Sequence, residues 1–180
     1  MGQQFDIEKA AILLAFVVAG TFIVRQASAA RWKKISSREG GFACLMPASP
    51  KIDSQTIEVN GMKVQGKAFS AWNRANSEFT LAYFDTPGTL SQEETEKWLD
   101  RQGQMLTQGD ESRMVFAQKL ALKGYSGRHY TAHTENNTDA DEMVYLVKRR
   151  LYFLIVVQDR GGGDQEDVKR FFESFTFEPN

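Results

Sequence analysis

Residues Val144 to Gln158 read VYLVKRRLYFLIVVQ, and the second half of this stretch is the most apolar run downstream of the N-terminal leader. In an extended strand its side chains alternate between two faces. Both faces are apolar, with Leu151, Phe153, Ile155 and Val157 on one and Tyr152, Leu154 and Val156 on the other. Because neither face is polar, both require cover, which predicts a central strand between two layers.

The same stretch must contain a turn. One strand over residues 143–158 would be about 50 Å long, whereas a domain of this size has a radius of gyration of about 15 Å. The only polar interruption is Lys148-Arg149-Arg150, where we predict the tip of a β-hairpin. It contains no Asn-Gly or Asp-Gly pair, so the turn type stays open.

Turn-forming residues divide the rest of the chain into short elements. Asn60-Gly61 is the strongest hairpin signal. The predicted strands are Phe42–Met46, Lys51–Val59, Met62–Trp72, Glu78–Asp85, Met114–Leu122, Arg128–His133 and Phe175–Phe177. Asn136-Asn137-Thr138-Asp139 is predicted to be a turn. In the strand Met114–Leu122, one face is predicted to carry Met114, Phe116, Leu120 and Leu122.

Two segments have helical patterns. Ser91 lies three residues before Glu94, which predicts a capping box and a helix that extends to about Gln108. The apolar stripe of this helix consists of Trp98, Leu99, Met105 and Leu106. A second, short helix is predicted through Phe171 and Phe172.

The order of these elements predicts an α+β fold, in which a mainly antiparallel β-sheet is sandwiched between helices. An N-terminal hydrophobic helix precedes it. Two amphipathic helices are expected to cover the two faces of the central strand. Residues 30–180 contain no repeat and no linker, and we expect them to form a single domain.

The N-terminal leader contains the apolar run Ala10–Val24, whose 15 residues span about 22 Å as a helix, less than a bilayer core of roughly 30 Å. Ala27-Ser28-Ala29 follows it as an A-x-A cleavage signal, so residues 1–29 are predicted to be a signal peptide. Acidic residues before the run and basic residues after it favour an uncleaved anchor instead. A buried helix of the domain is a third reading. The protein is therefore expected to be periplasmic or secreted, or anchored to the membrane by residues 10–24.

Composition limits the functional classes. The 180 residues are 42% hydrophobic and 25% charged, which is typical of a globular protein. A net charge of −1 does not favour nucleic-acid binding, which requires a strongly basic face. The single cysteine, Cys44, excludes an internal disulfide. Its place in an apolar strand predicts a buried, unreactive thiol.

His129 and His133 are the only histidines, and on a helix their spacing would allow both to bind one metal ion. On the predicted strand they share a face but lie about 13 Å apart, too far for one ion. Asn137, Asp139 and Asp141 alternate as in a calcium loop, yet Glu142 and Lys148 occupy the positions that need Gly and Glu.

Other motifs also favour structural roles. Gly161-Gly162-Gly163 precedes a helix, but no Gly-Lys-Ser/Thr follows, and Asp164 suits an N-cap better than an anion site. Gly124-Tyr125-Ser126-Gly127-Arg128 lacks the last glycine of a nucleophile elbow. Trp32, Trp72 and Trp98 are expected in the core, and Lys148–Arg150 in solvent. We assign no catalytic, cofactor-binding or metal-binding residue.

The two ends of the domain carry short signatures, namely Trp32, Ser37-Arg38-Glu39-Gly40-Gly41-Phe42, Met46-Pro47, Pro50 and Phe171-Phe172-Glu173-Ser174-Phe175. In these the chain resembles small exported bacterial members of the PsbP/Mog-type α/β/α sandwich proteins. The resemblance implies an antiparallel sheet between helices. The family includes an extrinsic protein of photosystem II and a Ran-binding nuclear import factor, whose ligand and partner residues match no motif here.

Together these features predict an exported or membrane-tethered, non-enzymatic binding or assembly module. We expect a protein partner at or near a membrane and no cofactor. One alternative is a hydrolase-type enzyme with a site assembled from residues scattered in the sequence. Another is an anchored subunit of a membrane complex that faces the cytoplasm.

Overall fold

The strand Arg150–Asp159 lies at the centre of a seven-stranded sheet and is buried on both faces, as its sequence predicts. The structure, a computed structural model, describes residues 32–59, 62–105, 113–133 and 137–177. The strands in these ranges are β1 (Lys33–Ser37), β2 (Phe42–Met46), β3 (Lys51–Val59), β4 (Met62–Trp72), β5 (Glu78–Asp85), β6 (Arg113–Leu122), β7 (Tyr125–His133), β8 (Thr138–Val147), β9 (Arg150–Asp159) and β10 (Thr176–Phe177). The helices are α1 (Gln92–Met105) and α2 (Gln165–Ser174).

The strands form two antiparallel sheets, in agreement with the predicted α+β class. The large sheet has the order β3-β4-β5-β9-β8-β7-β6, and the small one the order β1-β2-β10. Each registered neighbour pair is antiparallel. The edges of the large sheet are β3 and β6.

The two faces of the large sheet have different covers. On the face that we call the α1 face, Leu151, Phe153 and Ile155 pack in one core with Leu99 and Trp98 of helix α1. On the opposite face, called the α2 face, the core contains Tyr152, Leu154 and Val156 together with apolar side chains of helix α2 and of the small sheet.

The prediction that two helices alone cover the sheet is therefore incomplete. Helix α2 has 10 residues and a length of about 15 Å, whereas seven strands span roughly 29 Å. The small sheet covers area that this helix cannot reach. It contributes Phe42, Cys44, Met46 and Phe177 to the α2-face core.

The hairpins confirm most turns, with corrected bounds. Val147 pairs with Arg150, so the tip is Lys148-Arg149, and Arg150 belongs to the strand. Val59 pairs with Met62, which confirms the predicted hairpin, although Asn60-Gly61 itself lies outside the described residues. Strand β7 begins at Tyr125 because Lys123 and Gly124, with φ of 51° and 82°, complete a type I′ turn. The sequence predicts a start at Arg128, three residues too late.

The start of strand β8 also differs from the prediction. Thr138 and Asp139, expected in a turn, are paired with Asp159 and Gln158 of β9. Backbone pairing on both sides of β8 outweighs the turn preference of Asn and Asp here.

The helix starts are confirmed. Ser91 N–H donates to Glu94 Oε2 at 2.8 Å, and Glu94 N–H donates to Ser91 Oγ at 3.2 Å, which is the predicted capping box. Asp164 accepts the N–H of Glu166 at 2.9 Å as the N-cap of α2. The predicted end of α1 near Gln108 and the stripe residue Leu106 lie outside the described residues.

Strand β6 contains a β-bulge that its sequence pattern does not predict. Met114 pairs with Ala132 and Phe116 with Thr131, so Val115 is the extra residue. The bulge reverses the alternation: Met114 packs against the α1-face core, whereas Leu120 and Leu122 pack against the α2-face core. The prediction that these residues share one face is wrong for Met114.

The leader, including Ala10–Val24 and the predicted cleavage signal, lies outside the described residues. In the part of the chain that is described, neither helix combines the length and the apolar character needed to cross a membrane.

Candidate docking site at the β6 edge

Strand β6 is an open edge of the large sheet. Seven of its 10 residues are exposed and none is fully buried. Val115 and Phe116 expose 53% and 43% of their surface, and they are two of the four large hydrophobic residues that stand out as exposed in the described ranges. Because apolar side chains at a sheet edge are usually shielded or replaced by charges, this edge is a candidate binding surface.

The bulge at Val115 places Phe116 on the α2 face beside aromatic neighbours. The Phe116 ring lies 5.3 Å from the His129 ring, and the His129 ring lies 5.7 Å from Phe172 of helix α2. Both contacts are edge-to-face, the geometry that aromatic rings favour. The rings of Phe116, His129 and Phe172 form a row that connects the exposed edge to the core. Phe116 is therefore held in place although it is open to solvent.

Next to this row, the α2 face of β7 and β8 carries two histidine–aspartate pairs. His129 Nε2 lies 3.4 Å from Asp141 Oδ1, and the Thr131 hydroxyl donates to the same oxygen at 2.6 Å. His133 Nδ1 lies 2.5 Å from Asp139 Oδ1, which Arg160 also approaches to 3.6 Å. All four paired side chains are about four-fifths buried.

The two histidines therefore lie on a strand, as predicted, and each has its own carboxylate. Within residues 32–59, 62–105, 113–133 and 137–177, no group of three or more His, Cys, Asp or Glu side chains could hold a metal ion. The arrangement fixes the imidazoles in position and suits recognition of a partner.

The charge of the edge is positive. Residues 113–123 contain Arg113, Lys119 and Lys123 and no carboxylate. Lys119 lies over the α1 face, 3.1 Å from Glu96 Oε2. Lys123 is directed to the small sheet, where it donates to the carbonyl oxygen of Phe177 at 2.6 Å.

Behind this edge, Arg128 joins β7 to helix α1. Its side chain is buried and donates to Glu96 at 2.7 Å and to Asp100 at 2.8 Å. The guanidinium of Arg128, with Ser126 and Lys119, lowers the pKa of Glu96 to about 2. These ion pairs fix α1 against the strand adjacent to β6.

One buried carboxyl has no partner. Glu142 of β8 points to the α1 face between Tyr130 and Ile155, is fully buried, and neither of its oxygens has a hydrogen-bond partner. Burial raises its pKa to about 8, so the side chain is neutral at pH 7. Without solvent access it cannot exchange a proton with a bound substrate, and we assign it no catalytic role. Its position in the alternation Thr138, Ala140, Glu142, Val144, Leu146 is the sequence signal that indicates an inward-facing side chain.

Of the cysteine and the three tryptophans noted in the sequence, all but Trp72 pack in the interior. Cys44 is buried in the small sheet, as predicted, and burial raises its pKa to about 12. Trp32 and Trp98 pack against the two cores, whereas Trp72, also expected in the core, is exposed.

The basic segment Lys148–Arg150 was expected in solvent, but two of its arginines form hydrogen bonds with the end of β5 and the residue after it. Arg150 forms two bonds to the Asp85 carboxylate, at 2.6 and 2.7 Å, and Arg149 donates to the Thr86 carbonyl oxygen at 3.1 Å. These contacts tie the tip to the end of β5.

Comparison with solved structures identifies a similar fold. The solution structure of cyanobacterial PsbP (CyanoP) from Synechocystis sp. PCC 6803 matches with a TM-score of 0.55 over 84% of this chain and 95% of that chain, at 13% sequence identity. The fold is PsbP-like. No protein-family model and no curated protein sequence matches the chain.

Proposed function

We propose that this chain is a non-enzymatic binding or assembly module that docks onto a protein partner at or near a membrane. The observation that carries the proposal is the β6 edge, where Val115 and Phe116 are exposed beside a row of fixed rings. An exposed apolar patch next to positioned polar groups is typical of protein–protein contacts. The PsbP-like fold is consistent with such a role.

The described side chains give more support to recognition than to catalysis. The His129 and His133 imidazoles are each held by an aspartate through one ring nitrogen and lie beside the apolar edge, and the only cysteine is buried in the small sheet. The perturbed carboxyl of Glu142 lies beneath helix α1, away from the exposed edge. An enzyme would need a nucleophile, acid or base open to substrate.

We infer that the module is either extracytoplasmic, released after cleavage beyond Ala29, or anchored to the membrane by residues 10–24. The sequence Ala27-Ser28-Ala29 supports cleavage and export, whereas the basic residues that follow the apolar run favour an anchor with the module on its cytoplasmic side. N-terminal sequencing of the protein from its native membranes separates these cases. A new N-terminus at Ala30 establishes cleavage, and an intact Met1 on a carbonate-resistant protein establishes the anchor.

The docking function is tested on the full chain in its native membranes, after mild solubilisation and separation by size. We expect the wild type to migrate with a larger complex and Val115→Asp to migrate as the free chain. The matched control is Ile52→Asp on the opposite edge, because Ile52 lies on β3 and 57% of its surface is exposed. The Ile52→Asp protein should stay in the complex. A wild-type chain that migrates alone at every solubilisation condition would contradict the proposal.

A further inference from the structure

We propose that the partner docks by adding an extended strand to the outer edge of β6, alongside residues 116–122. The added segment carries apolar side chains on the α2 face and a carboxylate next to Lys119 on the α1 face. This inference rests on the proposed function and specifies its binding mode. Strand addition uses backbone hydrogen bonds for affinity and alternate side chains for specificity.

The backbone of β6 offers a regular set of outward groups. Leu122 and Tyr125 pair across the two-residue turn, so their N–H and C=O groups face each other. In an antiparallel ladder the groups of alternate residues point to the neighbour strand and away from it. The N–H and C=O groups of Ala117, Lys119 and Ala121 therefore point outward. Within the described ranges no strand lies beyond β6.

The side chains leave room for a neighbouring strand. Ala117 and Ala121, on the α1 face with Lys119, are small and exposed. Phe116 and Leu120 lie on the α2 face and give an incoming strand apolar neighbours, with the polar Gln118 between them. Cross-strand pairs of aromatic and aliphatic side chains stabilise such an arrangement.

The usual protection against strand addition is weak here. Edge strands are commonly blunted by proline, by charged side chains or by bulges. Strand β6 has no proline, and its bulge at Val115 lies at one end, which leaves residues 116–122 in unbroken register with β7. The central lysine, Lys119, leans towards Glu96 at 3.1 Å and does not block the edge, and 73% of its side chain stays exposed, so its ammonium has donors left for a partner carboxylate.

Charge complementarity selects the partner segment. Arg113, Lys119 and Lys123 are present in residues 113–123 and no acidic residue is. A second copy of β6 would bring like charges together, which opposes self-pairing. A segment from another protein with alternating apolar residues and one or two carboxylates fits this edge.

The test replaces an outward-facing N–H by proline in the full chain. Proline is tolerated on an edge strand when its nitrogen faces solvent, so Ala121→Pro removes the outward donor and keeps the pairing with β7. The matched control is Ser54→Pro on β3: Val59 pairs with Met62 across a two-residue turn, so the N–H of Ser54 also points outward. Thermal unfolding is measured first, and Ala117→Pro is used if Ala121→Pro does not fold.

We expect the proline on β6 to reduce the fraction of chain in the native complex at least tenfold and the proline on β3 to leave it unchanged. Lys119→Met should weaken the complex by a smaller factor and reduce its salt dependence, because the contact with a partner carboxylate is lost. Retention of the complex by a folded β6 proline variant overturns strand addition. If Val115→Asp still releases the chain, docking by side chains remains and the proposed function stands. If the wild type forms no complex, the proposed function fails.

Discussion

Strands β9 and β6 each have 10 residues and both are rich in apolar side chains, but their surroundings differ completely. In β9, residues 151–156 are buried without interruption. In β6, no residue is fully buried and seven are exposed. The difference follows from sheet order, because β9 lies between β5 and β8 whereas β6 is the last strand. Apolar side chains that lie inside the sheet stabilise the fold, and those left at its edge are available for a partner.

The largest expected contrast uses the same residue type in both strands. Phe153 is buried and packs edge-to-face on Phe84 and Trp98, with ring centroids at 5.9 and 6.1 Å. Phe153→Ala should lower the free energy of unfolding by about 3 to 5 kcal/mol. Phe116→Ala should lower it by less than about 1 kcal/mol, since Phe116 is largely exposed. Urea denaturation measures both, and equal losses would contradict the distinction between centre and edge.

The second prediction concerns Glu142, a polar group inside the sheet. Its pKa is raised to about 8 in the folded chain, from 4.5. Well below pH 4.5 the carboxyl is protonated in both states, so its ionisation adds no cost, although its unpaired oxygens remain desolvated. As pH rises from 4.5 to 8, the unfolded chain ionises first, so stability falls by roughly 3 to 4 kcal/mol.

Glu142→Gln keeps the shape of the side chain and cannot ionise. Its free energy of unfolding, measured from pH 5 to 8, should lack the decline seen in the wild type. If the free energy of unfolding declined with pH equally in the two proteins, the Glu142 carboxyl would have to be hydrated or hydrogen-bonded in the folded chain.

A smaller effect is expected at Arg128, which links the strand next to the edge to helix α1. Arg128→Met should lower the free energy of unfolding by about 1 to 2 kcal/mol, because Glu96 and Asp100 are partly exposed and recover water. Glu96 has its pKa lowered to about 2, so its contribution is present above pH 4.5 and is lost as pH falls towards 2. Chemical denaturation at pH 3 and pH 6 should show this loss in the wild type and less of it in the variant.

The smallest effects are expected at the two edges. Val115→Thr and Ile52→Thr should each change the free energy of unfolding by less than about 0.5 kcal/mol, since both side chains are exposed. Thermal unfolding of the two variants beside the wild type measures this. A loss above 1 kcal/mol for Val115→Thr alone would mean that the edge is covered within the chain.

Local patterns predicted much of the fold. The two-sided burial of β9 follows from Leu151 to Val156, and the start of α1 from Ser91 and Glu94, because each depends on residues close in sequence. The bulge at Val115 could not be inferred in the same way. It depends on the register with β7, which is set by tertiary pairing.

The candidate site was less predictable than the fold. The sequence predicts His129 and His133 on a strand, but their aspartate partners come from β8, whose first residues it predicts as a turn. Without strand order, Phe116 gave no sign that it would lie at an open edge. An apolar residue such as Phe116 occurs in edge strands and in half-buried strands alike, so only the assembled sheet shows which of the two it belongs to.

The buried thiol of Cys44 has a practical consequence. It lies in the small sheet, is 1% exposed, and has its pKa raised to about 12. A thiol reagent reacts with the thiolate and needs access to it, so labelling of the folded protein must await opening of the layer that encloses this side chain. Because the chain has no second cysteine, the rate of thiol modification reports how often this layer opens. The measurement requires no engineered probe.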